Sequence, residues 1–298
     1  MFDERLSYFN RYSGQIEEEE IYGGRYLRWV ITNPWGRLSH WSLVKRSCFS
    51  RWYGWRMKRH SSQKKILPFI NRYNIDIDEF ELCPETFRNF NEFFCRSLKR
   101  SKRPIDKDLN AAVFPADGRH LGFQDNSQIE GIFVKGQILK LEELLNNNSL
   151  GERFHDGSMV ISRLCPTDYH RFHFPVSGTP GNPQQINGFL SSVNPLALCR
   201  NINILTENKR VLTCLNSDDF GQVLVLEVGA TCVGSIINTY DPNVPMMKGD
   251  EKGYFSFGGS AVITLFERNR IQLDEDLLKH SSEGRELYAQ MGDRLGSK

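Results

Sequence analysis

From about residue 110 to residue 267 the chain consists of short apolar or alternating runs set between turn residues: 158–164, 203–206, 210–215, 222–228, 232–238 and 261–267. Val and Ile recur in these runs, and Gly, Pro and Asn punctuate them. Runs of four to eight residues suit strands better than helices. The pattern predicts an α+β protein whose core is mainly antiparallel β, built as two packed sheets or barrel-like. Residues 139–145 predict a short helix, and residues 283–295, with Leu287, Met291 and Leu295 four apart, predict a closing helix.

The first quarter has another character. Residues 21–75 contain no Asp or Glu but twelve Lys or Arg, and all five tryptophans of the protein: Trp29, Trp35, Trp41, Trp52 and Trp55. Indole rings favour the headgroup level of a bilayer, and basic side chains such as Arg51, Arg56, Lys58 and Arg59 favour an anionic surface. The segment predicts short amphipathic helices lying on a membrane, broken at Asn33-Pro34 and Gly54. Two other readings are a basic helical region packed on the rest of the protein, and a nucleic-acid surface. Residues 84–98 carry Phe87, Phe90, Phe94 and Leu98 as a helical stripe. The expected division is an N-terminal helical, membrane-associating module over 1–106 and a β-rich catalytic domain over 107–298.

Composition narrows the class. Hydrophobic residues are 39% and charged residues 25%, enough to bury a core. The seven scattered cysteines form no Cys-x-x-Cys pair, which fits a reducing compartment and gives no zinc pattern. No secretory leader and no run of 18 apolar residues is evident.

Three constellations carry chemistry. Phe114-Pro115-Ala116-Asp117-Gly118 sets a carboxylate in a turn, where Asp is usually a turn-maker. Asp168-Tyr169-His170-Arg171-Phe172-His173 places two histidines three apart, suited to proton transfer or, with a third ligand missing, poorly to metal. On an ideal strand that spacing points the rings to opposite faces. Gly258-Gly259-Ser260 runs two glycines into a serine that opens an apolar strand. It reads either as a plain glycine turn or as a serine placed to attack the carbonyl of Gly259, given a base and an orienting acid.

These motifs occur in the order found in the pyruvoyl-type phosphatidylserine decarboxylases. The chain resembles that family from about Phe90 to its C-terminus, through Phe90-Asn91-Glu92-Phe93-Phe94-Cys95-Arg96, Pro115-Ala116-Asp117-Gly118, Val134-Lys135-Gly136-Gln137, the 168–173 histidine segment, Ser192-Val193-Asn194-Pro195, Thr206-Glu207-Asn208-Lys209-Arg210, Val228-Gly229-Ala230, Val233-Gly234-Ser235-Ile236 and Phe257-Gly258-Gly259-Ser260. The resemblance implies that Asp117, His173 and Ser260 form a self-processing triad. It implies cleavage between Gly259 and Ser260 into a β chain, 1–259, and an α chain, 260–298. Ser260 would become a pyruvoyl group, so the cofactor is covalent pyruvate, with no PLP and no metal. That group would form a Schiff base with phosphatidylserine, and His170 would serve as the acid of decarboxylation, giving phosphatidylethanolamine and CO2. Ser192, Asn194, Gly234 and Ser235 are placed by the resemblance near the substrate. It further implies phosphatidylserine in an anionic membrane as partner, a possible homodimer, no nucleic acid, and a peripheral position on the cytoplasmic side of a bacterial cell membrane.

One position departs from the pattern: Ala261 stands where the family usually has Thr. Two readings compete with the decarboxylase: an uncut lipid-binding relative, and a serine hydrolase using Ser260, His173 and Asp117.

Overall fold

The central strands show no alternation of polar and apolar residues, because both of their faces are covered. The computed structural model describes residues 7–19, 33, 47–128, 139–198, 201–230, 235–258 and 260–298. In chain order the strands are β1 (Ser7–Asn10), β2 (Gln15–Glu18), β3 (Ala111–Val113), β4 (Gly118–Phe123), β5 (Ser158–Leu164), β6 (Arg171–His173), β7 (Thr179–Pro180), β8 (Gln184–Ile186), β9 (Arg210–Ser217), β10 (Gly221–Gly229), β11 (Ile236–Asn238), β12 (Glu251–Phe255), β13 (Ser260–Phe266), β14 (Gln272–Leu273), β15 (Glu286–Ala289) and β16 (Arg294–Ser297).

Ten of them form one sheet in the order β2-β1-β15-β4-β5-β13-β10-β9-β7, with β8 also on β9. The β1–β15 pair is parallel and the other strand pairs of this sheet are antiparallel, so the sheet is mixed. Its order has two ends, so it is an open sheet and not a barrel. Two three-stranded sheets, β11-β12-β6 and β14-β16-β3, accompany it.

The residues of β5, β10 and β13 sort by parity. Val160, Leu164, Val223, Val225, Val262 and Phe266 join one apolar cluster with Phe172 and Phe255 of the small β6/β12 sheet and Ala112 and Leu295 of the other. Met159, Ile161, Leu224, Leu226, Ile263 and Leu265 join a second cluster with Leu144, Phe154 and Leu205. Those last three belong to short helices, α4 (Leu141–Leu145), α5 (Asn148–Phe154) and α7 (Ile204–Glu207); numbering follows α1 (Ser47–Met57), α2 (Ile66–Tyr73) and α3 (Phe90–Phe94), with α6 (Pro195–Leu198) between α5 and α7 and α8 (Glu275–Ser282) near the end. The architecture is therefore small sheets, large sheet and short helices in layers, each strand face buried by a different partner.

Several expectations hold. Residues 158–164 form β5, 210–215 lie in β9, 222–228 in β10, and 141–145 are the predicted short helix. Others are corrected. Residues 203–206 were expected as a strand, but 204–207 are helical. An apolar run of four cannot tell the two apart, and here Ile204 and Leu205 pack with Ile202 in one cluster. The closing helix over 283–295 is instead β15, a turn and β16. Leu287 lies in β15, Met291 in the turn and Leu295 in β16, and Gly284 and Gly292 take positive φ of 70° and 96°, which a continuous helix does not use. The 84–98 stripe yields only a 3-10 turn at Pro84–Thr86 and the five-residue α3, because Asn89 is extended and caps α3 by accepting from the Glu92 N–H.

The N-terminal module also differs from expectation. Residues 7–18 form a β hairpin that joins the large sheet through β15. α1, α2 and α3 build a separate aromatic cluster of Phe69, Phe80, Phe87, Phe90, Phe93, Phe94 and Phe257. Trp29, Trp35 and Trp41 lie outside the described residues. No described helix is long and apolar enough to cross a membrane.

Candidate active site

Strand register gathers the expected residues at one end of the sheet. Ser260, first residue of β13, faces Leu164 of β5 on one side and Gly229 of β10 on the other. Leu164 is the last residue of β5, and the chain leaves it directly into the 165–170 loop that carries His170, then into β6 with His173. Arg119 of β4 faces Arg163 of β5, so the start of β4, with Asp117 just before it, comes to the same end. A Cβ on Gly118 would stand 2.4 Å from the Arg163 carbonyl oxygen, so only glycine lets this turn close against β5.

Ser260 has no exposed surface, and its Oγ has no hydrogen-bond partner among the described residues. A buried hydroxyl without a partner is uncommon and calls for a reason. Residue 259, the other half of the expected cleavage site, lies outside the described residues. Gly258 is buried and takes φ 138°, a conformation that favours glycine. The segment before Ser260 is held from below by α3 and its flank: Asn91 Oδ1 accepts from the Phe257 N–H at 3.1 Å, the Cys95 thiol donates to the Phe255 carbonyl at 3.3 Å, and the Phe257 ring packs on Phe90 and Phe94 at 5.3 and 4.9 Å.

Both imidazoles are enclosed and set in one tautomer. His173 Nδ1 lies 3.0 Å from the Gly249 carbonyl and His170 Nδ1 lies 2.9 Å from the Asp168 carbonyl. A carbonyl only accepts, so Nδ1 carries the proton in each ring and Nε2 presents its lone pair. Among the described residues neither Nε2 has a hydrogen-bond partner. Burial pushes His173 down to about 4 and His170 down to about 3, so both are neutral at pH 7. The Gly258 backbone lies near enough to the His170 ring to oppose that shift, which puts the ring beside the cleavage segment. The Phe94 ring covers His170 at 3.8 Å.

Asp117 is not hydrogen-bonded to His173. Its carboxylate accepts from Arg103 Nε and Nη2, at 2.9 and 2.6 Å to Oδ2, and from the Met291 N–H at 2.9 Å. Burial pushes its pKa up and Arg103 opposes that. The link to His173 runs through the backbone, where the His173 N–H donates to the Pro115 carbonyl at 2.7 Å.

Sequence reasoning missed the residues that support this set. Arg103, in the charged connector, clamps Asp117 and Glu79. Arg119 Nη1 reaches both oxygens of Asp168 at 2.7 Å, and the carbonyl of that same Asp168 orients His170. Arg163 joins Glu19 and Glu286. Glu227 and Lys252 form an ion pair at 2.8 Å with no exposure. Arg163 and Glu227 had a legible signal: each is a single charge inside an otherwise apolar strand, where it needs a buried partner. Of the residues placed near the substrate, Ser192 Oγ accepts from the Asn194 N–H at 3.3 Å, the Ser235 carbonyl accepts from the Ser256 N–H at 3.1 Å, and Gly234 lies outside the described residues. Among the described residues no three His, Cys, Asp or Glu side chains gather as a metal site.

Fold and site together define a β-sheet protein that encloses a serine and two neutral imidazoles at the ends of its central strands. The sequence profile of the phosphatidylserine decarboxylase family matches residues 90–297. A phosphatidylserine decarboxylase proenzyme of Clostridium botulinum is 43% identical over 293 residues, covering 98% of this chain and 99% of the relative. One from Fusobacterium nucleatum is 40% identical over 294 residues, covering 99% and 98%. One from Clostridium kluyveri is 42% identical over 293 residues, covering 98% and 99%. The chain belongs to the phosphatidylserine decarboxylase family.

Proposed function

We propose that this chain is a proenzyme that cuts itself between Gly259 and Ser260 and then decarboxylates phosphatidylserine to phosphatidylethanolamine and CO2. The observation that carries the reading is the complete burial of a partnerless Ser260 hydroxyl at a strand end flanked by the histidine loop. A serine with no exposed surface is badly placed to attack a substrate from solution and well placed to attack its own chain. That argues against the hydrolase reading. Ala261, the departure from the family pattern, is itself wholly buried in β13 and keeps its backbone pairing with Arg163.

His173, with its Nε2 lone pair open, takes the Ser260 Oγ proton as the oxygen adds to the residue 259 carbonyl. The C–N bond then breaks, the amine is protonated, and an ester replaces the amide. Loss of the Ser260 Cα proton with departure of the Oγ-linked carboxylate leaves dehydroalanine at residue 260. Water then replaces its nitrogen, which departs as ammonia, and a pyruvoyl group remains. Asp117 acts on His173 through the turn it anchors, held by Arg103 and the Met291 N–H. The enclosed hydroxyl and the two open Nε2 atoms fit such a group at residue 260. When formed, it supplies a carbonyl for the substrate amine and an electron sink as CO2 leaves. His170 Nε2, beside the cleavage segment, presents the lone pair that takes up a proton during turnover and returns it to the substrate carbon.

Helix α1 and its flank support the membrane reading. Trp52 and Trp55 are about half exposed at 48% and 51%, Arg56, Lys58 and Arg59 are exposed, and the Arg56 and Arg59 guanidinium groups lie over the two indoles. These residues rest on the anionic membrane that holds the substrate, at the inner face of the cell membrane, with Arg51, whose side chain is outside the described set, in the same helix. A boundary near residue 106 and a homodimer belong to the same proposal. Intact mass spectrometry of purified protein is the test: a keto-capped fragment of residues 260–298 is expected, and fully active protein with an unbroken chain would end the proposal.

A further inference from the structure

The buried Glu227–Lys252 pair is unused by the chemistry above, yet it bridges the two sheets that carry it. Glu227 lies on β10 opposite Val262, two residues before Gly229, which faces Ser260. By strand parity it shares the Ser260 face of the large sheet, on a diagonal from the serine. Lys252 lies on β12, whose partner is β6, the strand of His173. The β12–β6 register runs from Glu251 opposite His173 to Gly253 opposite Phe172, so Lys252 is the extra residue of a bulge. Bulges re-aim a side chain, and this one accompanies a lysine that meets Glu227. The groups facing the ammonium are Glu227 at 2.8 Å, Asn238 Oδ1 at 3.4 Å, and the Phe172 and Tyr240 rings at 5.5 and 5.2 Å.

Dehydrating two charges is costly, and apolar replacements of the same volume often serve stability equally well. What a buried pair adds is a fixed geometry, since each charge has one place to go. Among the described residues no other side chain hydrogen-bonds to the Glu227 carboxylate, and the Ser260 and Thr264 hydroxyls, on either side of Val262, have no partner.

We propose that Glu227 and Lys252 are positioning residues that pin the His173-bearing sheet to the Ser260-bearing sheet, and that self-cleavage depends on this pin. The inference rests on the self-cleavage reading above. The test follows the cleavage rate of freshly made precursor by intact mass, with thermal unfolding measured alongside. Lys252→Met/Glu227→Leu is expected to unfold within a few degrees of the parent but to cut at least tenfold more slowly. The same variant folded and cutting at the parental rate overturns the pin.

If the double variant does not fold, Glu227→Gln decides. It leaves Lys252 without a counter-charge, so it is expected to cut slowly at pH 7. Its rate relative to the parent should then rise toward pH 9 as Lys252 gives up its proton. A ratio of one, or one flat with pH, overturns the pin. A parent chain that never cuts sinks the self-cleavage reading itself, and the pin with it, whereas a parent that cuts together with indifferent variants sinks the pin alone.

Discussion

The strand ends around Ser260 and the aromatic cluster that covers them are built on different principles. At the strand ends, position is set by hydrogen-bond register and by buried ion pairs: Arg103 on Asp117 and Glu79, Arg119 on Asp168 and Glu19, Lys252 on Glu227. In the aromatic cluster position is set mainly by the packing of ring on ring. Phe93 sits among Phe69, Phe80, Phe87 and Phe90 with ring centroids 5.5–6.0 Å apart, and the charge that touches them, the buried Arg96 guanidinium, lies over the faces of Phe80 and Phe93 at 4.9 and 5.0 Å. Paired polar groups hold atoms to a direction, which proton transfer needs, whereas packed rings exclude water and tolerate small shifts. The first region should therefore fail in chemistry and the second in stability.

The largest expected break is Ser260→Ala. It should leave a single 34.5 kDa chain with no decarboxylase activity and near-parental unfolding. Fragments on a denaturing gel would place the nucleophile elsewhere. His173→Ala should slow self-cleavage by about 10²–10⁴-fold, the usual worth of a general base. His170→Ala should cut normally and then turn over phosphatidylserine slower by a similar factor, about 10²–10⁴. Cleavage time courses and CO2 release on the same samples separate the two rings, and identical profiles for both variants would erase the division of labour.

Phe93→Ala tests the other region. Removing a ring with no exposure should cost about 3–5 kcal/mol in chemical unfolding, while cleavage persists at low temperature. Lost cleavage with unchanged stability would mean that the aromatic cluster also directs chemistry.

The pH response tests the enclosure of the rings. Burial lowers His120 and His170 to about 3 and His173 to about 4, against 6.5 in the unfolded chain. The unfolded chain therefore binds protons first as pH falls below about 6.5, and stability present above that pH is lost toward pH 4. Melting temperatures of the Ser260→Ala chain between pH 7.5 and 4.5 should fall steadily. A flat profile would mean that the three rings are not enclosed.

Much of the sheet was legible because strands write their own period. β5, β10 and β13 could be read as strands from composition and turn residues. Elements without an unambiguous period were not: 287, 291 and 295 fit a helical spacing but lie in β15, a turn and β16, two strands that belong to different sheets. The site residues were legible as motifs, and Asp117, His170, His173 and Ser260 do come to one end of the sheet. Their partners were not, because Arg103 and Asp117, or Glu227 and Lys252, are distant in sequence and meet only through register.

The amino-acid order alone determined which stretches favour strands, which residues carry a hydroxyl, an imidazole or a carboxylate, and that Gly258 lies two residues before Ser260. Those are local properties, set by each residue and its neighbours. Folding decided that β5 and β10 flank β13, that Asp117 faces Arg103 instead of His173, and that a bulge brings Lys252 against Glu227. The reason is that pairing between strands depends on which distant segments exclude water together, and no short window of sequence records that choice.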